Sequence, residues 1–344
     1  MRKKFDVVIG NPPYQDEATG DATHNMPVYH LFMQAAYEVG RKAVLITPAR
    51  FLFNAGYTPK AWNEKMLSDP HLTVSHYVPN SDKLFPGTDI KGGIAVTYRD
   101  EDKTDEPIGT FTKSPVLNEI LHKVPFGKSG SIASVITSSR SYRYTDEMHA
   151  DYPDALNTMS AGEQYKINTR TFEQLSFLYF DECPANNYAY VRVLGLIKNK
   201  RVSRWIRSAY IAGPESFGSY KLAISKASGS GNFGEALSAP LVLEPNAAVT
   251  QSFITIGTLG NEAEAQACLK YVKSKFARTL LGVLKITQDN PAKVWKYVPL
   301  QDFTIASDID WSKSIPEIDQ QLYSKYKLDA DEIAFIELYI KPMG

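Results

Sequence analysis

Short β-branched apolar runs alternate with amphipathic stretches of helical period along the first hundred residues. Residues 5–9, with Phe5, Val7, Val8 and Ile9 around Asp6, lie between charges on one side and Gly10-Asn11-Pro12-Pro13 on the other. This predicts a fully buried parallel strand that ends in a sharp turn. Val28, Leu31, Phe32, Ala35, Ala36 and Val39 then recur at helical spacing, with Pro27 before them and Gly40 after them, the pattern of a capped helix. Residues 43–47 form a second buried run, stopped by Pro48. Strand, helix, strand implies a right-handed parallel crossover, which puts Pro48-Ala49-Arg50-Phe51 on the same rim as Asn11. The same reading predicts a helix over 59–67, strands over 72–78, 94–98 and 108–112, and a short helix over 115–122.

Beyond a Gly/Ser/Lys-rich stretch at 125–131 the pattern changes. Residues 221–226 alternate as a strand, 269–283 carry a helical stripe, 295–298 read as a strand, and 315–322 and 330–340 read as helices. The 344 residues therefore divide into two expected domains, 1–125 and 126–344, with a helical tail over about 312–344. Net charge is zero, so affinity for nucleic acid has to come from local patches and not from a global field. Cys183 and Cys268 are too few for a disulfide framework and lack metal-ligand spacing, so no metal site is expected and a cytoplasmic location is. No run approaches transmembrane length, and no membrane partner is expected.

The chemistry concentrates just after the first strand. Asn11 offers a side-chain carbonyl, and Pro12, having no N–H, presents only a backbone carbonyl. Two such acceptors hold both hydrogens of a planar exocyclic amine and leave the nitrogen lone pair free. Pro12 and Pro13 stiffen the turn, and Tyr14 gives an aromatic face on which a base stacks. Ligands of open α/β sheets bind at this end of the strands.

Asn11-Pro12-Pro13-Tyr14 after an apolar strand resembles the catalytic motif of S-adenosylmethionine-dependent amino-methyltransferases, above all the DNA adenine-N6 enzymes. The resemblance implies that the tetrapeptide binds the target amine and that Tyr14 stacks on a flipped-out adenine. Leu84-Phe85-Pro86-Gly87, ahead of the 94–98 strand, is similar to a later family motif, and this implies Phe85 as the second wall of the base pocket. The implied fold is the second half of a Rossmann-like methyltransferase sheet followed by a mixed α/β target-recognition domain with C-terminal helices. The 126–344 region resembles the recognition domain of restriction–modification methylases of the fused methylase–endonuclease kind.

That fold also needs a first half that cradles the cofactor, and only ten residues precede Asn11. Gly229-Ser230-Gly231-Asn232-Phe233-Gly234 matches G-x-G-x-x-G, but Pro240 comes too soon for a following helix, so a recognition loop fits it better. The expectation is a chain inactive alone, with S-adenosylmethionine bound mostly by a missing N-terminal half or a partner subunit, and with the strand over 5–9 left as an exposed edge where that half is lacking. His24, in the polar stretch 15–25, is a loop histidine and not an expected base.

From 192 to 226 the charge turns basic: Arg192, Lys198, Lys200, Arg201, Arg204, Arg207, Lys221 and Lys226 oppose the single acid Glu215, with Tyr190, Trp205, Tyr210 and Tyr220 interleaved. Basic residues among aromatics suit double-stranded DNA, and Lys226 with Ser228 suits phosphate. The expected function is site-specific adenine-N6 methylation within a restriction–modification enzyme. The alternatives are a non-catalytic DNA-specificity module, and an RNA or protein-glutamine amino-methyltransferase.

Overall fold

The computed structural model describes residues 3–16, 26–54, 57–124 and 130–343. The chain forms two compact units, Met1–Asn118 and Glu119–Gly344.

In the first unit, β1 (Phe5–Gly10), α1 (Tyr29–Val39), β2 (Gly40–Pro48), α2 (Lys60–Leu67), β3 (Leu72–Val78) and β4 (Ile94–Asp100) follow one another. The sheet order is β1-β2-β4-β3. β1 and β2 are parallel, as the crossover pattern predicts, while β4 runs antiparallel to both its neighbours. Tyr29, Met33 and Ala36 of α1 and Trp62 and Met66 of α2 pack with Leu45, Phe51, Leu72 and Ala95 into one core. Each large apolar side chain of this kind stabilises by roughly 1.5–3 kcal/mol on burial.

β1 has the composition of a fully buried strand but is the exposed edge expected of it without a first methyltransferase half beside it: Phe5, Val7 and Ile9 are exposed, and only Val8 packs against the core. Leu31 and Phe32 of α1 are exposed as well. Apolar residues of strand type are therefore present, and among the described residues β2 is the only strand bonded to β1. Residues 108–112 are not a strand: Gly109 takes a positive φ of 62°, and its N–H donates to the Leu67 carbonyl, which ties the segment to the end of α2. Ile108 is nonetheless buried as an anchor.

Helix α3 (Pro115–Lys123) forms where the pattern placed it. In the second unit, β5 (Ile136–Thr137) and β6 (Arg143–Tyr144) precede α4 (Asp146–Asp151) and α5 (Thr171–Gln174). A long hairpin follows, β7 (Tyr190–Ile197) and β8 (Lys200–Arg207). Lys198 and Asn199 both have positive φ, 48° and 62°, so this two-residue turn follows the twist of its strands. Next come β9 (Ile211–Ala212), β10 (Tyr220–Ser225), β11 (Leu241–Leu243), β12 (Ala247–Val249) and β13 (Phe253–Leu259). They arrange as an antiparallel sheet β11-β10-β13-β5, a sheet β12-β7-β8 with β12 parallel to β7, and the small pair β6-β9.

The expected helix over 269–283 is two helices, α6 (Glu262–Lys273) and α7 (Lys275–Gly282). Ser274 leaves the helical conformation between them, and its hydroxyl caps α7 by accepting from the Ala277 N–H. Residues 295–298 are not a strand either: Trp295 closes a short turn begun after Pro291, and the Val298 N–H donates back to its carbonyl. α8 (Ile315–Lys325) and α9 (Ala330–Tyr339) each start with a capping box, Ser314 with Glu317 and Asp329 with Glu332. The protein is thus a mixed α/β chain with several sheets. Among the described residues no helix is long and apolar enough to cross a membrane, and no cluster of His, Cys, Asp and Glu is arranged to hold a metal ion.

Candidate functional site

β1 delivers Asn11, Pro12, Pro13 and Tyr14 at its carboxyl end. The Val28 N–H donates to the Tyr14 carbonyl at 3.2 Å and the Asp16 N–H to the Met26 carbonyl at 2.9 Å, so 14–16 run antiparallel to 26–28. His24 and the rest of 17–25 lie outside the described residues. Asn11 and Pro13 are exposed, whereas Pro12 and Tyr14 are half-buried. Burial raises the Tyr14 pKa. The neighbouring Asn11 side chain opposes that rise, without reaching the geometry of a full hydrogen bond.

Tyr14 forms one wall of a cavity of about 140 Å³, with Tyr29, Pro48, Arg50 and Tyr57, and with Asp89 and Ile90 on the loop before β4. A cavity of ~150 Å³ holds a benzene ring, so this one has room for a planar aromatic ring beside Tyr14. Arg50 is fixed where it stands, because its Nε donates to the Lys91 carbonyl at 2.7 Å. The loop returns to the sheet at Gly93, where φ is +78° and a Cβ would lie 2.4 Å from the Val78 carbonyl oxygen. Only glycine fits there.

The structure therefore brings Tyr14 together with Pro48 and Arg50. Phe85 is half-buried on the same 81–93 loop, but Asp89 and Ile90, not Phe85, reach the cavity wall. Sequence reasoning missed Tyr29 and Tyr57. Tyr29 opens α1 on its buried side, and burial pushes its pKa up to about 12. A tyrosine counted as apolar in the helical stripe marks that position.

The basic run of the second unit separates into two groups. Arg201 donates to the Ala239 carbonyl and the Ser238 hydroxyl, and Arg204 pairs with Asp181. Arg207 donates to Asp151 at 2.9 Å and lies 3.8 Å from the Tyr188 ring centroid and 4.7 Å from that of Tyr210. Lys221 leaves the basic surface altogether. It is fully buried in β10, its ammonium donates to the Phe217 and Ser219 carbonyls, and burial pushes its pKa down to about 8. Arg192 and Lys198, Lys200 and Lys226 are exposed, and no ion pair engages them among the described residues. Ser228 is half-buried, and its hydroxyl accepts from Asn290 at 3.0 Å.

Gly229 to Gly234 does not make a cofactor cradle. Its backbone N–H groups at Ser230 and Gly231 already donate to the Glu235 carboxylate, at 2.7 and 3.2 Å, as does the Ser230 hydroxyl at 2.7 Å. These donors pull the Glu235 pKa down to about 2. A Cβ at Gly229 would sit 2.4 Å from that carboxylate. An anion-binding loop whose anion is the chain's own side chain has nothing left for a phosphate.

With this geometry in place, comparison with known proteins locates the first unit. Residues 1–85 match the Eco57I restriction-modification methylase family. The match covers β1, Asn11–Tyr14 and the loop up to Phe85, and it bears out the resemblance read from those residues. An uncharacterized adenine-specific methylase of Mycoplasma pneumoniae is 25% identical over 171 residues, 48% of this chain and 40% of that protein. The chain thus spans about two fifths of the length of this curated relative. Two solved structures show a loose likeness to this chain. The type IIG restriction endonuclease BpuSI aligns with TM-score 0.32 and 12% identity over 97% of this chain and 53% of its own. The type IIL restriction-modification enzyme MmeI aligns with TM-score 0.24 and 11% identity over 97% and 56%.

Proposed function

We propose that this chain is part of a restriction–modification DNA methyltransferase that methylates the N6 amine of a flipped-out adenine, with S-adenosylmethionine as methyl source. The observation that carries the reading is Asn11-Pro12-Pro13-Tyr14 at the carboxyl end of a parallel strand, with Tyr14 walling a ring-sized cavity. The Asn11 side-chain carbonyl and the Pro12 backbone carbonyl accept the two amine hydrogens and aim the lone pair at the methyl donor. Stacking on Tyr14, worth roughly 1–3 kcal/mol, offsets part of the few kcal/mol that unstacking costs. Phe85 is proposed as the second aromatic face, reached by movement of the loop that already contributes Asp89 and Ile90.

The glycine-rich loop over 229–234 does not fit S-adenosylmethionine, because Glu235 already fills it. The exposed Phe5, Val7 and Ile9 edge supports a further methyltransferase half, on the same protein or a partner subunit, that covers β1 and supplies the donor surface. The proposed DNA contacts are Arg192, Lys198, Lys200, Arg201, Arg204, Arg207, Lys226 and Ser228, with the unpaired lysines carrying the phosphate attraction.

The test is methylation of duplex DNA by the full-length enzyme, read by mass spectrometry of digested nucleosides. The expected product is N6-methyladenine, abolished by Asn11→Ala and reduced at least about tenfold by Tyr14→Ala. An Asn11→Ala enzyme that still methylates adenine overturns the reading.

A further inference from the structure

The second unit carries a cleft of about 400 Å³ between the exposed face of β7–β8 and the 241–247 segment, lined among others by Tyr190, Arg192, Ser203, Trp205, Glu244 and Asn246. That is within the range of small-ligand pockets. Trp205 is rigidly placed: it pairs with Arg192 across the hairpin, and its own N–H and carbonyl both bond Phe180, at 2.8 and 2.9 Å. The Arg192 guanidinium lies 5.8 Å from the Trp205 ring centroid.

Tyr190 accepts from the Asn186 amide at 2.9 Å, but the charged and amide side chains of this cleft, Arg192, Glu244 and Asn246, have no hydrogen-bonded or ionic partner among the described residues. Arg201, Arg204 and Arg207 of the same hairpin all have hydrogen-bonded or ionic partners, and Arg192 has none among the described residues. On the opposite wall the backbone of 244–246 is tied down. The Glu244 carbonyl accepts from Ala247 at 3.3 Å, and the Asn246 N–H, on a residue with φ of 61°, donates to the Phe217 carbonyl at 2.9 Å. The Glu244 carboxylate and the Asn246 amide make no such bonds among the described residues. A free cation, a free carboxylate and a free amide therefore share one cleft with an indole face.

We infer that this cleft binds a single unpaired guanine base. A planar ring stacks on Trp205. Guanine presents adjacent acceptors, O6 and N7, which suit the forked donors of Arg192. It also presents adjacent donors, N1–H and the N2 amine, which suit the Glu244 carboxylate. Adenine offers no such pair of donors, and cytosine and thymine lack the purine acceptor edge. Because Glu244 takes the Watson–Crick edge, the base is out of its pair. Its source is either an extruded or single-stranded nucleotide of DNA or a free guanine nucleotide. The inference rests on the DNA-methyltransferase reading only for the first of these sources.

Calorimetric titration of the chain tests it with guanosine, adenosine and cytidine 5′-monophosphates, with single-stranded oligonucleotides holding one or no guanine, and with fully paired duplex. The expected result is binding of guanosine monophosphate over the other two, weakened roughly tenfold by Arg192→Ala and by Glu244→Gln. Both substitutions are at exposed positions, and Trp205→Phe, which keeps a ring, should weaken binding less than Trp205→Ala. Preference for the guanine-bearing oligonucleotide assigns the site to DNA, and binding of the mononucleotide alone assigns it to a free nucleotide. Equal binding of all three mononucleotides, no binding of any guanine ligand, or affinity unchanged in Arg192→Ala and Glu244→Gln overturns the inference. Duplex binding that persists in that event leaves the DNA reading standing. Guanine binding without any duplex binding counts against the DNA reading and not against the cleft.

Discussion

Substituting Lys198 and Lys200 on the hairpin turn tests which cations meet DNA phosphate. On duplex DNA each neutralised phosphate contributes about −0.9 to the slope of log affinity against log salt. If every basic side chain among the proposed DNA contacts bound phosphate, the slope would be about −6.3. Arg201, Arg204 and Arg207 are held by Ala239 and Ser238, by Asp181, and by Asp151. Assigning Arg192 to a base leaves Lys198, Lys200 and Lys226, for a contribution of about −2.7. Fluorescence anisotropy of a labelled duplex, titrated with salt, reads this directly. The Lys198→Ala/Lys200→Ala double variant should be shallower than the parent by about 1.8. Arg204→Ala should lower affinity, since it uncovers Asp181, yet leave the slope nearly unchanged. A slope change for Arg204→Ala as large as that for one lysine, or none for the double variant, refutes the partition.

Three further outcomes follow from the packing. Gly93→Ala puts a Cβ 2.4 Å from the Val78 carbonyl at a φ of +78°, and should cost about 2–4 kcal/mol in urea unfolding through strain and forced backbone movement; wild-type stability would show that the loop is not pinned there. The Asp319 carboxylate is buried and accepts from the Lys275 and Phe276 N–H groups at the start of α7, and burial raises its pKa to about 6 from an ordinary 3.8. The folded state therefore holds this proton more tightly than the unfolded chain. The group is without cost below pH 3.8 and destabilises progressively as pH rises through 6, by up to ~3 kcal/mol. The stability difference between the parent and Asp319→Asn should move by that amount between about pH 4 and 7, and a constant difference rules the effect out. Glu235→Gln removes the acceptor that holds the 229–234 loop, so the Ser230 and Gly231 amides should exchange hydrogen faster; unchanged protection would mean that the loop is held by something else.

Much of the first unit was legible in the chain because it rests on local patterns. A β-branched run, a helical stripe and a proline stop were enough to place β1, α1 and β2 and to make β1 and β2 parallel, since a crossover helix permits little else. The chemistry of Asn11–Tyr14 was legible for the same reason: four adjacent residues carry it. Two short apolar segments misled. Residues 108–112 and 295–298 have strand composition but pair with no strand. Gly109 and Pro291 turned their backbones aside, and their apolar side chains became anchors of loops.

Composition alone could not divide the basic hairpin, because whether a cation is free depends on what lies across space from it. Asp181, Asp151 and the Ala239 carbonyl are tens of positions away in the chain, and only folding sets them against Arg204, Arg207 and Arg201. The same holds for Lys221, a basic residue by composition and a buried strut in the fold. Nor could sequence show that Glu235 fills the glycine-rich loop, or that Trp205 and Arg192 face Glu244 across a cleft. What the sequence determined was periodicity and one compact motif, because both are written in neighbouring residues. The tertiary structure decided which charges are spent and which remain available, because charge pairing is a property of distance in space.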